Sequence, residues 1–439
     1  MRQNLPQARN GEEATMGNET YIIKGHLCCS RDADTIEIVE NGSLVVENGV
    51  FRGVFSALPA RYAQLPVHDY GDRLVIPGMT DLHVHAPQFS FRGLGMDMEL
   101  LEWLNTYTFP EESKYRELAY AERAYGSFAE HLLHSTTTRA CIFATIHVPA
   151  TLLLMRKLDE LGLCTYVGKV NMNRNSPDYL RETSTRQAIR DTELWLSQLA
   201  GLEHTRPILT PRFIPSCTDD LMYALHDLRE QYSLPVQSHL SENLGEIDWV
   251  RELCPRAKFY GEAYDQFGLF GGDHKCIMAH CVHSDEREQA LMLKNGVFIA
   301  HSPESNMNLA SGVAPVNQFL ERGLNVGLAT DIAGGSHESL LRAMMHAIQA
   351  SKLRWRLLDQ TVKPLSFERA FYLATMGGGA FFGSVGTFRE GWAADAVVLD
   401  DTNLDHPQDL SVRARLERMT YLADERNVKA KYVEGRKIL

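Results

Sequence analysis

Four histidines and one aspartate stand in segments whose residue types suit metal-assisted hydrolysis. His83 and His85 form a His-x-His pair, and His239, His280 and Asp331 follow in later apolar segments. In an extended strand, residues i and i+2 point to the same side, so His83 and His85 can face one site together. Three imidazole nitrogens and one carboxylate oxygen form a donor set that suits Zn²⁺ and also Fe²⁺.

A metal held by these ligands would activate a water molecule for attack on a substrate. The cation lowers the pKa of bound water, so that hydroxide is present near neutral pH. Asp331 is additionally suited to accept the water's proton and pass it on. Each residue alone has an ordinary interpretation: a strand-end histidine often only satisfies hydrogen bonds, and Asp331 could cap the helix that follows. The joint pattern is what predicts the site.

Eight apolar, β-branched segments are the elements that must position these side chains. They are RLVIPGMTDLHVH, STTTRACIFAT, CTYVGKVNM, RPILTPRFIPS, LPVQSHLSE, KCIMAHCVH, GVFIAHSPE and LNVGLATDIAG. Amphipathic stretches such as ESKYRELAYAERAYGSFAEHLLH and ATLLLMRKLDELGL lie between them and predict helices. This alternation predicts an α/β fold, an eight-stranded (β/α)8 TIM barrel over residues 75–387.

The predicted barrel brings the metal-competent residues to one rim. His83 and His85 end the first predicted strand, His239 the fifth, His280 the sixth and Asp331 the eighth. The carboxyl ends of the strands carry the active site in barrels of this kind. We therefore expect all five side chains at the catalytic end of the barrel.

The two ends of the chain have a different, β-rich pattern. Two Asn-Gly pairs, Asn41-Gly42 and Asn48-Gly49, predict tight hairpins, and the C-terminal segments GTFREGWAADAVVLD and ERNVKAKYVEGRKIL have similar strand–turn patterns. We expect residues 19–74 and 388–439 to form one small β-sandwich domain. Residues 1–18 are expected to be a flexible leader.

The composition excludes several other classes of protein. The 439 residues are 44% hydrophobic and 23% charged, and their net charge of −12 argues against nucleic acid or an anionic membrane as partner. The eight cysteines form no CxxC pair, and the polar N-terminus lacks the apolar segment of a secretory signal. No apolar run approaches the roughly 18 residues of a membrane span. These features predict a soluble cytoplasmic protein in a reducing compartment.

Five segments together resemble the amidohydrolase superfamily and, within it, the guanine deaminases. They are PGMTDLHVHAPQFSFRGLGMDMELLEWLNTYTFPEE, SHLSEN, MAHCVH, AHSPESNMNL and ATDIAGG. The metal motifs are general to the superfamily, whereas the segment from His83 through Glu112 is far more specific to guanine deaminases. The resemblance implies zinc-dependent hydrolysis of guanine to xanthine and ammonia in purine metabolism. It also implies a homodimer whose only ligand partner is a small-molecule substrate.

The resemblance further implies a role for each site residue. One zinc ion would be held by His83, His85, His239 and Asp331. His280 would lie beside the attacking hydroxide and steady the developing charge, and Glu242 would carry a proton to the purine ring as water attacks C2. Without the resemblance, Glu242 would be interpreted as a solvated loop carboxylate with no catalytic role.

The same resemblance implies three substrate contacts. Gln88 would contact the ring edge through its amide, Arg212 would donate to the O6 carbonyl, and Phe213 would shape the pocket. Attack on an aromatic C–N centre builds charge on a ring nitrogen, so an acid must lie within hydrogen-bond reach. A planar base with a carbonyl suits the directional donors of Arg212. Asn306, in HSPESN, is expected to support the rim of the barrel rather than contact substrate.

Three alternatives remain at this point. Binuclear relatives bind a second metal through a carbamylated lysine on the fourth strand; the segment counted fourth has none, but a count wrong by one would make Lys169 a candidate. The chain could act on a different aminated ring, as another deaminase or a chlorohydrolase of the superfamily. It could also be a non-catalytic scaffold. The unrelated zinc deaminase fold is excluded, because its HxE and PCxxC signatures are absent.

Overall fold

The computed structural model describes residues 20–439, so the predicted leader lies outside the described residues. Its strands are β1 Thr20–Asp32, β2 Thr35–Glu47, β3 Val50–Phe55, β4 Val67–Pro77, β5 Met79–His85, β6 Thr137–Phe143, β7 Cys164–Gly168, β8 Val170–Asn171, β9 Thr205–Pro207, β10 Thr210–Pro211, β11 Val236–Leu240, β12 Cys276–His280, β13 Phe298–His301, β14 Asn325–Leu328, β15 Ala396–Leu399, β16 Val428–Val433 and β17 Arg436–Lys437.

The helices fall mainly between the central strands. They are α1 Leu100–Trp103, α2 Phe109–Ser113, α3 Leu118–His134, α4 Val148–Glu160, α5 Thr185–Ser197, α6 Asp219–Tyr232, α7 Leu244–Leu253, α8 Tyr260–Gln266, α9 Glu286–Asn295, α10 Pro303–Asn308, α11 Val316–Glu321, α12 Leu340–Leu357, α13 Phe367–Tyr372 and α14 Val412–Leu422. The two amphipathic segments singled out in the sequence form α3 and α4. A π-helical turn, Leu104–Thr108, joins α1 to α2.

The central strands form parallel sheets, so the predicted α/β class is confirmed and the region is TIM-barrel-like. One sheet has the order β5-β6-β7-β9, a second has the order β11-β12-β13-β14, and β8 pairs with β10. Backbone hydrogen bonds also connect neighbouring sheets. The amide of Leu209 donates to the carbonyl of Pro235 at 2.9 Å, and the amide of Asp331 donates to the carbonyl of His83 at 2.9 Å.

Two of the expected long strands are interrupted. The third expected strand is divided into β7 and β8 at Lys169, and the fourth is divided into β9 and β10. Pro207 and Pro211 end these last two strands, and proline has no amide hydrogen with which to continue a ladder. Lys169 therefore directly follows the third strand and does not lie on the fourth.

The N-terminal and C-terminal segments share one seven-stranded sheet of order β17-β16-β15-β4-β1-β2-β3. Strand β4 runs parallel to β1 and antiparallel to β15, so it joins the two ends of the chain. The hairpin expected at Asn48-Gly49 connects β2 to β3, with φ of 50° at Asn48 and 77° at Gly49. The hairpin expected at Asn41-Gly42 is wrong: the pair lies inside β2, where its pairing with β1 is irregular.

Buried polar contacts tie this sheet to the central strands. Arg139 of β6 makes a two-pronged ion pair with Asp395, at 2.8 and 3.1 Å. The ammonium of Lys431 in β16 donates to the carbonyls of Leu132 and Thr137 at 2.8 and 2.9 Å. All eight cysteines are buried and unpaired. None of the helices described within residues 20–439 combines the length and the apolar character that a membrane-spanning helix needs.

Candidate active site

The carboxyl ends of three parallel strands bring the four predicted metal ligands together. His83 and His85 lie at the end of β5, His239 lies in β11, and Asp331 follows β14 by three residues. The Nε2 atom of His83 lies 3.1 Å from Oδ1 of Asp331. The Nε2 atom of His85 lies 3.2 Å from Nε2 of His239 and 3.6 Å from Oδ1 of Asp331. The side chains of His83, His85 and Asp331 are buried and that of His239 is partly buried, and the ligand atoms of the three histidines lie within 4.8 Å of one another.

The protonation states of these imidazoles suit a cation. Burial is the largest cause that lowers the pKa of His83, His85 and His239 below the ordinary 6.5, so neutral rings are favoured. Nδ1 of His239 donates to the carbonyl of Arg212 at 2.6 Å, which leaves its Nε2 unprotonated. A backbone acceptor that fixes the tautomer in this way is typical of a metal-ligating histidine.

Asp331 supplies the negative charge of the cluster. Burial raises the pKa of Asp331, but His83 first and then His280 and Ser305 together outweigh this effect and lower the pKa to about 2. The residue is therefore a carboxylate at neutral pH. Three neutral nitrogens and one carboxylate oxygen fit a divalent ion such as zinc.

The backbone beside the cluster adopts conformations that are uncommon for residues other than glycine. Positive φ values occur at Asp331 (48°), His280 (72°), Cys281 (52°) and Ser241 (46°). Each of these residues lies at or just beyond the carboxyl end of a central strand. Such conformations carry a free-energy cost and concentrate at functional sites, where they aim side chains inward.

The ring of His280 lies beside the ligand cluster and stacks on the ring of His239, with 5.5 Å between the ring centroids. Its Nδ1 donates to Oδ1 of Asn306 at 2.9 Å, so its Nε2 is free to accept a proton. That Nε2 lies 3.4 Å from Oε2 of Glu242 and 3.7 Å from Oδ2 of Asp331. Asn306, on α10, therefore orients the ring of His280. The sequence predicts a supporting role for Asn306 at the rim of the barrel.

Glu242 is fully buried among polar groups. The hydroxyl of Ser311 donates to its Oε1 at 3.2 Å. Burial and the neighbouring charge of Asp331 raise the pKa of Glu242 to about 8, so the carboxyl group holds a proton near neutral pH. A metal ion at the cluster would lower this pKa again. The side chain is thus suited to move a proton inside the cavity.

A cavity of about 410 Å³, which includes part of its open mouth, lies directly on this cluster. Its polar lining includes His85, Gln88, Arg212, His239, Glu242, Glu246, His280 and Asp331. An apolar wall is formed by Leu100, Trp103 and Leu104, which come from α1 and the π-helical turn. An apolar pocket with a few converging polar groups is typical of a small-molecule site.

The predicted substrate residues line the same cavity. Gln88 follows β5, and Arg212 and Phe213 follow β10, and all three side chains are buried. Arg212 donates from Nη1 and Nη2 to the carboxylate of Glu112, at 2.6 and 3.1 Å. Gln88 donates from Nε2 to the same carboxylate at 2.9 Å. The ring of Phe213 lines the cavity and contacts the ring of Trp249 edge-on.

Sequence reasoning missed three buried carboxylates beside the cavity. Glu112 binds Arg212, Asp81 accepts from the amides of His83 and Thr330, and Glu246 accepts from the hydroxyl of Tyr260. Burial raises the pKa of Asp81 to about 6 and of Glu246 to about 7. The only local sequence signal for any of these carboxylates is the capping box Asn243–Glu246 at the start of α7, in which the Glu246 side chain accepts from the amide of Asn243.

The side chain of Lys169 forms an ion pair with Glu182. Its ammonium lies 2.5 Å from Oε1 of Glu182 and 3.2 Å from the carbonyl of Val170, and it is fully buried. Lys169 would be a candidate for a second metal site only if it lay on the fourth strand. It directly follows the third strand, so that alternative does not apply.

A second group of possible ligands lies elsewhere in the fold. Cys164, His204 and Glu434 have ligand atoms within 4.8 Å of one another. Arg139 lies 3.3 Å from Glu434, and Arg436 lies 3.1 Å from Nδ1 of His204. Two guanidinium groups already occupy these ligand atoms, so the group is not suited to a cation.

Comparison with known proteins assigns the family. Residues 74–438 match the amidohydrolase family. The chain is 36% identical to guanine deaminase from Dictyostelium discoideum over 95% of this chain and 98% of that protein. A solved guanine deaminase from C. acetobutylicum with bound guanine in the active site is 45% identical, with a TM-score of 0.93 over 96% of this chain and 100% of that chain. The solved E. coli guanine deaminase is 30% identical, with a TM-score of 0.84 over 96% of this chain and 99% of that chain. The chain therefore belongs to the amidohydrolase family, and these relatives within it are guanine deaminases.

Proposed function

We propose that this protein is a guanine deaminase that hydrolyses guanine to xanthine and ammonia with one zinc ion per chain. The observation that carries the proposal is the shared cavity. The proposed ligands His85, His239 and Asp331 line the same cavity as the buried side chains of Arg212 and Gln88. The relatives named above act on guanine, and their likeness extends over nearly the whole chain.

The amidohydrolase family is metal-dependent, and the ligand set here fits its metal. His83, His85, His239 and Asp331 would hold the ion, and their nitrogen and oxygen donors suit zinc. When bound, the ion acts as a Lewis acid and lowers the pKa of its bound water to about 7. Iron(II) is accepted by the same ligands, so the identity of the metal is part of the proposal.

The substrate residues would fix guanine in the plane of the cavity. Arg212 donates to the O6 carbonyl, and the amide of Gln88 meets the ring edge. Phe213 and the apolar wall of Leu100 and Trp103 pack on the faces of the ring. The interactions place C2 of the base toward the ligand cluster and exclude bulk water from it.

Proton transfers by this chain's carboxylates would complete the reaction. The water oxygen bonds to C2, and Glu242 delivers one proton to ring nitrogen N3, where charge builds. Asp331 takes the proton of the attacking water, and His280 stabilises the oxygen as charge develops on it. The second proton of the water passes to the amino group, the C2–N bond breaks, and ammonia leaves. The proton taken up by Asp331 then returns to Glu242, so that both carboxyl groups regain their starting protonation states. Xanthine keeps the oxygen at C2 and the proton on N3.

Ammonia release from a panel of bases tests the proposal. The purified protein is incubated with guanine, adenine, cytosine and a chlorinated triazine, and its metal content is measured on the same preparation. Guanine turnover with xanthine as product supports the proposal. Turnover of another ring without guanine would replace it with a different deaminase or chlorohydrolase, and neither metal nor turnover would favour a scaffold.

Four structural and cellular features belong to the same proposal. The central strands form one closed barrel, supported by the backbone bonds of Leu209 to Pro235 and of Asp331 to His83. The barrel domain covers residues 75–387, and residues 19–74 and 388–439 form the small domain as two packed β-layers. The protein is a cytoplasmic homodimer, which light scattering tests as twice the 49.5 kDa chain mass.

A further inference from the structure

Glu112 is a buried carboxylate that joins the two proposed substrate-recognition residues. It lies on α2, is 1% exposed, and does not contact the predicted metal ligands through any hydrogen bond of the described residues. Its Oε2 accepts from Nη1 of Arg212 at 2.6 Å, and its Oε1 accepts from Nη2 of Arg212 at 3.1 Å and from Nε2 of Gln88 at 2.9 Å. One carboxylate thus organises side chains from two separate strand ends.

These contacts fix the orientation of the Gln88 amide. Its Oε1 accepts from the backbone amide of Ala333 at 3.0 Å, while its Nε2 donates to Glu112. A reversed amide would place its oxygen against the carboxylate and its nitrogen against an N–H group, and both contacts would be repulsive. These two bonds leave one N–H of the Gln88 amide available, and the side chain lines the cavity.

The same contacts fix the plane of the Arg212 guanidinium and neutralise its charge. A two-pronged guanidinium–carboxylate pair is geometrically restrictive, and the guanidinium also lies 5.2 Å from the ring centroid of Phe109 on the same helix as Glu112. The pair is neutral overall, so a neutral base can enter without burying an isolated charge. The cavity side keeps only N–H donors from Arg212.

We propose that Glu112 is a positioning residue that sets base selectivity by holding Arg212 and Gln88 as donors. The inference rests on the proposed function, because it assigns the donors of Arg212 to the O6 carbonyl of guanine and the donor of Gln88 to the ring edge. A site restricted to donors accepts a 6-oxo purine and disfavours a base that has hydrogen or an amino group at that position, since buried donors would then be left unpaired.

A merely structural role for Glu112 makes a different prediction. In that case the carboxylate anchors α2 to the strands, and its loss lowers stability and all activities together. The neighbouring Glu111 provides a matched control. It is also a buried carboxylate of α2, but it pairs with Lys114 and the hydroxyl of Tyr120 and not with the cavity residues.

The test compares Glu112→Gln with Glu111→Gln in the metal-loaded protein. The ratio of kcat/KM for guanine to kcat/KM for 2-aminopurine, which lacks the 6-oxo group, is measured with metal content and Tm. We expect Glu112→Gln to lower this ratio by about tenfold or more with unchanged metal content, and Glu111→Gln to leave it unchanged. An unchanged ratio in Glu112→Gln, or an equal loss in both variants, would overturn the proposal.

A crystal structure of Glu112→Gln gives a readout that does not require turnover. We expect the Gln88 amide or the Arg212 guanidinium to leave its present orientation; both side chains in place would overturn the proposal even if guanine is not a substrate. Absence of guanine turnover in the wild-type protein would instead refute the proposed function alone. If Glu112→Gln fails to fold, Glu112→Asp replaces it, because the shorter side chain keeps the charge but does not span both partners.

Discussion

The backbone carbonyl of Arg212 accepts the Nδ1 proton of His239 at 2.6 Å, while the guanidinium of the same residue lies in the adjoining cavity. One residue therefore orients a predicted metal ligand with its main chain and a predicted substrate contact with its side chain. Because β10 and β11 are neighbours, a shift of the segment after β10 would disturb both parts of the site together. The proposed metal centre and the proposed base-recognition site are therefore coupled through Arg212.

Loss of a metal ligand should remove both metal and activity. We expect His83→Ala and Asp331→Ala to bind less metal and to lose at least about 1,000-fold in kcat/KM, since about 4 kcal/mol of catalysis by the ion corresponds to that factor. Elemental analysis and ammonia release measure the two effects. His134→Ala, at a partly exposed histidine of α3 away from the cavity, is the control and should behave as wild type.

Loss of the Glu242 proton should separate catalysis from metal binding. Glu242→Gln keeps the size and the Ser311 contact but does not exchange a proton, so we expect normal metal content and a fall in kcat of roughly 100- to 10,000-fold. Glu117→Gln, at an exposed position, serves as the control. If Glu242→Gln retained the wild-type kcat, this carboxyl group would have no part in the proton transfer.

Replacement of the Arg212 guanidinium should affect selection of guanine. Arg212→Lys retains the charge and the backbone carbonyl that holds His239, but it loses the two-pronged pair with Glu112. A lost charged hydrogen bond costs about 1.5–3 kcal/mol, so kcat/KM for guanine should fall roughly 10- to 150-fold with unchanged metal content. Arg287→Lys, an exposed arginine of α9, controls for the substitution itself. Equal kcat/KM in the wild type and Arg212→Lys would contradict the proposed contact.

The buried Lys431 should make stability depend on alkaline pH. Burial lowers the pKa of Lys431 well below 10.5, so the unfolded chain binds a proton there that the folded protein releases at lower pH. Stability from this position therefore increases as the pH rises from the folded pKa toward 10.5. Relative to Lys431→Met, the free energy of unfolding of the wild type should gain up to about 1.4 kcal/mol per pH unit in that window.

Denaturant unfolding of both proteins at several pH values measures this difference. The neutral amine keeps two N–H donors for the two carbonyls that it contacts, so the native contacts persist after deprotonation. Lys437→Met, at an exposed lysine of β17, should show no such trend. A constant difference between the wild type and Lys431→Met across this range would contradict the assignment.

The sequence predicted which residues converge because their positions depend on strand order and strand period. His83, His85 and His239 lie in strands recognisable from local apolar patterns, and parallel strands place equivalent ends together. The contacts of Glu112 were not predictable in this way. It meets Arg212 across 100 residues, and no periodic signal marks a carboxylate that faces a cavity rather than solvent.

Local turn signals were reliable only where tertiary pairing agreed with them. Asn48-Gly49 forms the expected hairpin because β2 ends there, but Asn41-Gly42 lies within β2 because the long pairing with β1 continues past it. The amide of Asn41 donates to Nδ1 of His26 on β1, which stabilises this irregularity. A two-residue pattern cannot report how far a partner strand extends.

Metal removal and restoration test the central proposal most directly. The purified protein is stripped with a chelator and titrated with zinc while ammonia release from guanine is followed. We predict that stripping abolishes turnover and that zinc restores it in proportion up to one equivalent per chain, whereas the Asp331→Ala protein stays inactive. Full turnover of guanine by the metal-free protein would contradict a metal centre built from these four ligands.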